Sequence, residues 1–204
     1  MKNSTKAVAV LALGLAGTSL LPMGAYAHDG GAHDQGHKAE HTRRSTVEYT
    51  VPQVTLLRED GRTVSLPEEL NDGRPVVLNF FYTKCTEVCP LTSSTFMQFQ
   101  VKLGAEREKV HMVSISVDPE QDTPEVLRDY ARKFHAGPAW HHYSGTVAAS
   151  IEVQQAFDVY LGDKMNHVPV TLMRAAPGKP WLRIEGFSRP DDLVREYRNL
   201  VAAQ

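Results

Sequence analysis

The chain has 204 residues, with 22 Lys and Arg against 24 Asp and Glu, and 42% of its residues are hydrophobic. That length suits one domain with a good core. The slightly acidic balance argues against a nucleic-acid partner, since such proteins are usually basic with clustered Lys and Arg.

The first 27 residues, "MKNSTKAVAVLALGLAGTSLLPMGAYA", place Lys2 and Lys6 before an apolar run from Ala7 to Leu21 and end in Ala25-Tyr26-Ala27. This is the layout of a cleavable secretory signal peptide, 1–27, and it predicts export to the periplasm. The apolar run is shorter than the roughly 18 to 20 residues that cross a bilayer. No later segment is longer, so no membrane span is expected in the mature protein. Residues 28–45 are polar and hold His28, His33, His37 and His41. Their composition predicts a disordered tail, and His-rich tracts bind metals. After cleavage, the His28 amine and imidazole could chelate Cu(II) together, so the tail reads as an auxiliary metal scavenger.

A globular domain is expected over 46–204. "VEYTVPQVTLL" and "TVSL" flank an Asp60-Gly61 turn signal, which predicts a hairpin. "RPVVLNFFYT" is a nearly continuous apolar run, as in a strand covered on both faces. Pro90 to Leu103 reads as a helix with Leu91, Phe96, Met97 and Phe99 toward the core, and "KVHMVSISVD" as a second buried strand. Helices follow from Thr123-Pro124, from Thr146 and from Ser188. Between the last two, "HVPVTLMR" and "WLRIEGF" form a hairpin pair around Pro177-Gly178. A β-α-β unit followed by a hairpin and a final helix predicts an α/β, thioredoxin-like fold with an N-terminal β-hairpin extension.

The only two cysteines, Cys85 and Cys89, follow the first buried strand directly, at the mouth of such a sheet. If a helix begins near Cys85, their spacing puts both sulfurs on one face, a turn apart. The amides at a helix start favour thiolate, the form that binds metal and attacks disulfides. A structural disulfide would close too short a loop to stabilise much. Among the histidines, His111 reads as a core residue and His135 as the end of a helix. His141 and His142 face opposite ways if "WHHYS" is extended. His167 precedes Val168-Pro169, and the loop before that strand lies beside the thiols in thioredoxin-like folds. Two thiolates and an imidazole suit copper, whose Cu(I) state favours sulfur. Met165 offers a thioether nearby and reads as a hydrophobic rim residue.

"FFYTKCTEVCPLTSSTF", "VSISVDPEQDTPEVLRDYARKF" and a histidine some eighty residues later together resemble the Sco/SenC family over roughly 47–202. The resemblance implies copper ligation by Cys85, Cys89 and His167, with Asp118 near the site or facing a partner. It implies delivery of copper to the copper-centre subunit of cytochrome c oxidase, reduction of that subunit's thiols, or exchange with another periplasmic copper chaperone. A monomer is the default. The chain departs from the usual family pattern at Thr86, at "MNHVPVTLM" with its Pro169, and at "RAAPGKP". Thr86 and Pro169 lean towards a second reading, a thiol-disulfide oxidoreductase with Cys85 as nucleophile and Cys89 as resolving thiol. A peroxidase on the same fold is the third and weakest.

Overall fold

The structure is a computed structural model that describes residues 42–203. The signal sequence and the tail histidines His28, His33, His37 and His41 lie outside the described residues. In chain order the elements are β1 Arg43–Val47, β2 Thr55–Arg58, β3 Thr63–Ser65, α1 Leu66–Leu70, β4 Val76–Phe81, α2 Val88–Leu103, β5 His111–Ser116, α3 Pro124–Lys133, β6 Trp140–Ser144, α4 Val147–Ala156, β7 Val170–Arg174, β8 Trp181–Glu185 and α5 Pro190–Ala202. The strands form one mixed sheet in the order β1-β8-β7-β4-β5-β6-β2-β3.

The centre of the sheet is where the sequence is most apolar. All six residues of β4 and all six of β5 are buried, and the two strands run parallel. Helices cover both faces, which explains the continuous apolar runs. Phe80 and Phe81 point to opposite faces, as neighbours in a strand must. Phe81 meets Tyr130 of α3 and His142, while Phe80 meets Phe157, just after α4. Phe96 of α2 packs on Trp140, two residues from His142, and Phe99 meets Tyr197 of α5 edge-on. So α2, α3 and α5 share one face, and the end of α4 lies on the other.

The fold expectation is met: the sheet and its helices are thioredoxin-like, with the β2–β3 hairpin added at one edge and β1 at the other. Gly61 takes φ 85° in the hairpin turn, a backbone region open to glycine. Thr123 and Thr146 cap α3 and α4, accepting from the amides of Val126 and Ala149. Four details differ from the sequence reading. Residues 140–144 form a strand, β6, which two histidines disguise. β1 takes in Arg43 to Ser45, assigned by composition to the tail, because their backbone pairs with β8. Ser188 does not cap α5, whose N-cap is Arg189. Leu91 is exposed on α2 rather than in the core, while Phe96 and Phe99 are fully buried.

Candidate metal centre

The helix after β4 begins at Val88, not near Cys85, so the two cysteines are not stacked on one helical face. Cys85 lies in the preceding loop, and its amide donates to the Tyr82 carbonyl at 3.2 Å. Cys89 is in the first turn of α2, 1% exposed. Convergence is achieved another way: the Cys89 amide donates to Cys85 Sγ at 3.3 Å, so the first sulfur sits over the helix start as a capping group does. Both cysteines are free thiols.

Their ionisation is driven apart by this arrangement. Burial pushes the Cys85 thiol up, but hydrogen bonds from the Cys89 amide and thiol and from the amides of Glu87 and Val88 outweigh it, and the group is held below its ordinary value. For Cys89, burial dominates, and the neighbouring Cys85 adds to it, so this thiol is held well above its ordinary value. Cys85 is therefore the more readily ionised of the two sulfurs, and Cys89 is held as thiol.

His167 closes the far side. It follows a 3-10 turn, Lys164–Asn166, in which Asp163 Oδ1 accepts from the Met165 amide at 2.9 Å. Its Nε2 bonds to the Phe80 carbonyl at 3.0 Å. A carbonyl only accepts, so this bond fixes the proton on Nε2 and leaves the lone pair on Nδ1. Burial lowers the imidazole's pKa, partly offset by that carbonyl, which keeps the ring neutral and able to ligate. A cleft of about 140 Å³ is lined by Cys85, Thr86, Tyr82, Met165 and His167, among others. Thus Cys85 and His167 share a cleft, and Cys89 lies buried behind the sulfur it donates to. Among the described residues no three His, Cys, Asp or Glu side chains converge as a ready-made cage. The donor types suit a soft ion, and Cys89 must turn towards the cleft to join it.

Asp118 is not in that cleft. It lines a neighbouring one of about 320 Å³, together with Lys164 and His167, and pairs with Lys164 Nζ at 2.6 Å. The pair ties the His167 loop to the end of β5. The residue the sequence reading missed is Asp122, fully buried four residues on. Its carboxylate accepts from the Thr83 amide and hydroxyl and from the Ser116 hydroxyl, knotting the end of β4 to the end of β5 directly beneath the cysteine loop. The signal was present as a second acid in "DPEQDTP", but nothing local distinguishes a buried acid from a solvated one. His111, His141 and His142 line neither cleft.

The described chain also enters at this edge. Arg43 pairs with Glu185, Glu185 with Val170, and Thr171 with Asn79 near the end of β4.

Residues 42–201 match the family model described as SCO1/SenC. A SCO1 protein homolog of Bacillus subtilis is 32% identical over 110 residues, covering 53% of this chain and 56% of the relative. The chain thus spans about half the length of that curated relative. Among solved structures, BsSco is described as a member of the Sco family of cytochrome c oxidase assembly proteins with a disulfide switch. It superposes with a TM-score of 0.65 at 25% identity, over 78% of this chain and 98% of that one. Bradyrhizobium japonicum ScoI, solved with copper bound, gives 0.63 at 24% identity over 74% and 99%.

Proposed function

The chain belongs to the SCO1/SenC family, and from that premise we propose that its domain binds one copper ion through Cys85, Cys89 and His167. We infer that it works as a copper chaperone in the assembly of cytochrome c oxidase, in the periplasm. The observation that carries the reading is the shared cleft, lined by the more readily ionised sulfur, Cys85, and by an imidazole whose Nδ1 lone pair is free of the Phe80 bond. Two sulfurs would hold Cu(I), and the imidazole adds the harder donor that Cu(II) favours. The signal sequence supports the location, and the relatives' descriptions support the client.

In this reading each residue has a defined task. Cys85 offers the more readily ionised sulfur, because it rests over the start of α2 and accepts from the Cys89 amide. Cys89 gives up its proton on joining, since a thiolate is the ligating form. The Phe80 carbonyl orients the His167 ring, as outer partners of ligating histidines do. The Asp122 knot and the Lys164–Asp118 pair hold the two halves of the cleft together. The tail histidines His28, His33, His37 and His41 are an auxiliary set of metal-binding groups in the same chain.

A second reading has its own support. A half-buried Cys85 with a lowered pKa beside a buried Cys89 with a raised one is the asymmetry of an attacking and a resolving thiol. The two readings compete for the same sulfurs, because a disulfide between them excludes metal.

Anaerobic copper titration of the reduced chain decides between them, with His28, His33, His37 and His41 replaced by Gln to silence the tail. One tightly bound copper, with Cu(II) lost in His167→Ala, is the expected result. Rapid exchange with a model disulfide and no copper uptake would leave only the oxidoreductase.

A further inference from the structure

Met165 is the most exposed large hydrophobic residue among those described, at 72%, so packing does not account for its position. It is also not free to wander. It sits in the 3-10 turn that Asp163 caps, and Lys164 beside it is paired to the buried Asp118. Its sulfur has a polar contact: the Tyr82 hydroxyl donates to Met165 Sδ at 3.5 Å. The same hydroxyl lies against the Cys85 thiol, one of the groups that raise the Tyr82 pKa after burial. A single phenol, 6% exposed, therefore has a thiol and a thioether as neighbours.

The cleft wall thus presents sulfur on two sides, from Cys85 and from Met165, with the His167 imidazole on a third. Thioethers select Cu(I) over Cu(II), and methionine's three rotatable bonds let the sulfur swing without moving the backbone. On the copper reading above, we propose that Met165 is a ligand of the reduced ion. In the Cu(I) state its Sδ joins Cys85, Cys89 and His167 on the open face of the cleft, and in the Cu(II) state the thioether is not a ligand. The hydroxyl of Tyr82 holds the thioether at the cleft until the ion takes it. No electron moves in this exchange of ligands: one weak O–H···S contact breaks and one sulfur–metal bond forms.

The test is Met165→Leu in the full chain, with the four tail histidines replaced by Gln in both proteins. Leucine keeps the bulk and removes only the sulfur, and the site's exposure makes a folding defect easy to exclude by thermal unfolding. Cu(I) affinity is measured anaerobically against a chromophoric chelator, Cu(II) affinity by direct titration, and the sulfur neighbours of bound Cu(I) by X-ray absorption. The expected result is a Cu(I) affinity about tenfold lower or worse, comparable to losing an outer-shell partner or more. Cu(II) affinity should stay within about twofold, and one sulfur should vanish from the Cu(I) shell. Unchanged Cu(I) affinity and an unchanged shell would make Met165 a rim residue and leave the copper reading standing. Equal losses for both oxidation states would also overturn the inference. A parent protein that takes up no copper would remove the copper reading itself, and the inference with it.

Discussion

At the start of β5, His111 has both ring nitrogens engaged, Nδ1 by the Glu69 carbonyl at 3.0 Å and Nε2 by the Tyr143 hydroxyl at 3.1 Å. About 17 Å along the same strand, five residue steps, the sheet ends beside the cysteine loop. There His167 gives Nε2 to the Phe80 carbonyl and keeps the lone pair on Nδ1. Both histidines are largely covered, and burial lowers the pKa of both. What separates a structural histidine from a candidate ligand is therefore neither burial nor charge, but whether a donor atom is left over and faces a cleft. His142 marks the other extreme. Both its nitrogens are buried without a hydrogen-bond partner among the described residues, and it sits between Phe81, Trp140 and Tyr130, where no ligand can reach.

The sharpest test of this contrast exchanges the two histidines' fates. His167→Ala should lower Cu(II) affinity by more than about 100-fold, beyond the range for losing an outer partner of a ligand, while His111→Gln leaves titration by Cu(II) unchanged. Equal effects from the two substitutions would erase the distinction between the sheet's ends.

Stability should respond the other way round. His111→Gln should cost about 2 kcal/mol at pH 7 by urea unfolding, because two hydrogen-bonding partners are left in a buried site. Its pH dependence has a definite sign. Burial holds His111 at about 4, below the ordinary 6.5, so the unfolded chain takes up a proton that the folded one refuses. Stability from the neutral ring is complete above about pH 6.5 and is lost as pH falls towards about 4, roughly 3 kcal/mol in all. The variant should lose that share of the acid slope; an identical slope would show that His111 is not held neutral.

Within the cysteine loop the contrast is between the two sulfurs. Iodoacetamide at pH 7 should modify Cys85 at least about ten times faster than Cys89, since the thiolate is the nucleophile and Cys89 is both buried and held as thiol. Mass spectrometry of the singly labelled protein identifies the site. Equal labelling would mean that the Cys89 amide does not hold Cys85 Sγ in solution.

The smallest effect belongs to the Lys164–Asp118 pair. Lys164 is 40% exposed, so Lys164→Met should cost only about 0.5–1 kcal/mol in thermal unfolding. Its value lies in the loop: exchange of the His167 amide with solvent deuterium should rise. No rise would show that the 3-10 turn stands without the ion pair.

Much of this architecture is legible in local pattern. The apolar runs of β4 and β5 announce strands buried on both faces, and the threonine caps of α3 and α4 act within three residues. Strand β6 is hidden because Trp140 and His142 become buried, and His141 partly so, only through their neighbours. Parallel β5, the Glu59 carboxylate on His141 Nδ1 and the aromatic box around His142 make polar residues acceptable in a strand. Asp122 is hidden for the same reason, since its partners come from β4 and β5.

By itself the sequence determined the kinds of donor and their rough neighbourhood: two cysteines after a buried strand, a histidine before a late one, and a helix to follow. Those facts depend on contacts between residues a few positions apart. Only the tertiary structure decided that α2 starts at Val88, that Cys85 caps it while Cys89 turns inward, and that Met165 and His167 come to the same cleft from more than seventy residues away. Such choices rest on hydrogen bonds and burial between distant segments, and no local period in a chain encodes them.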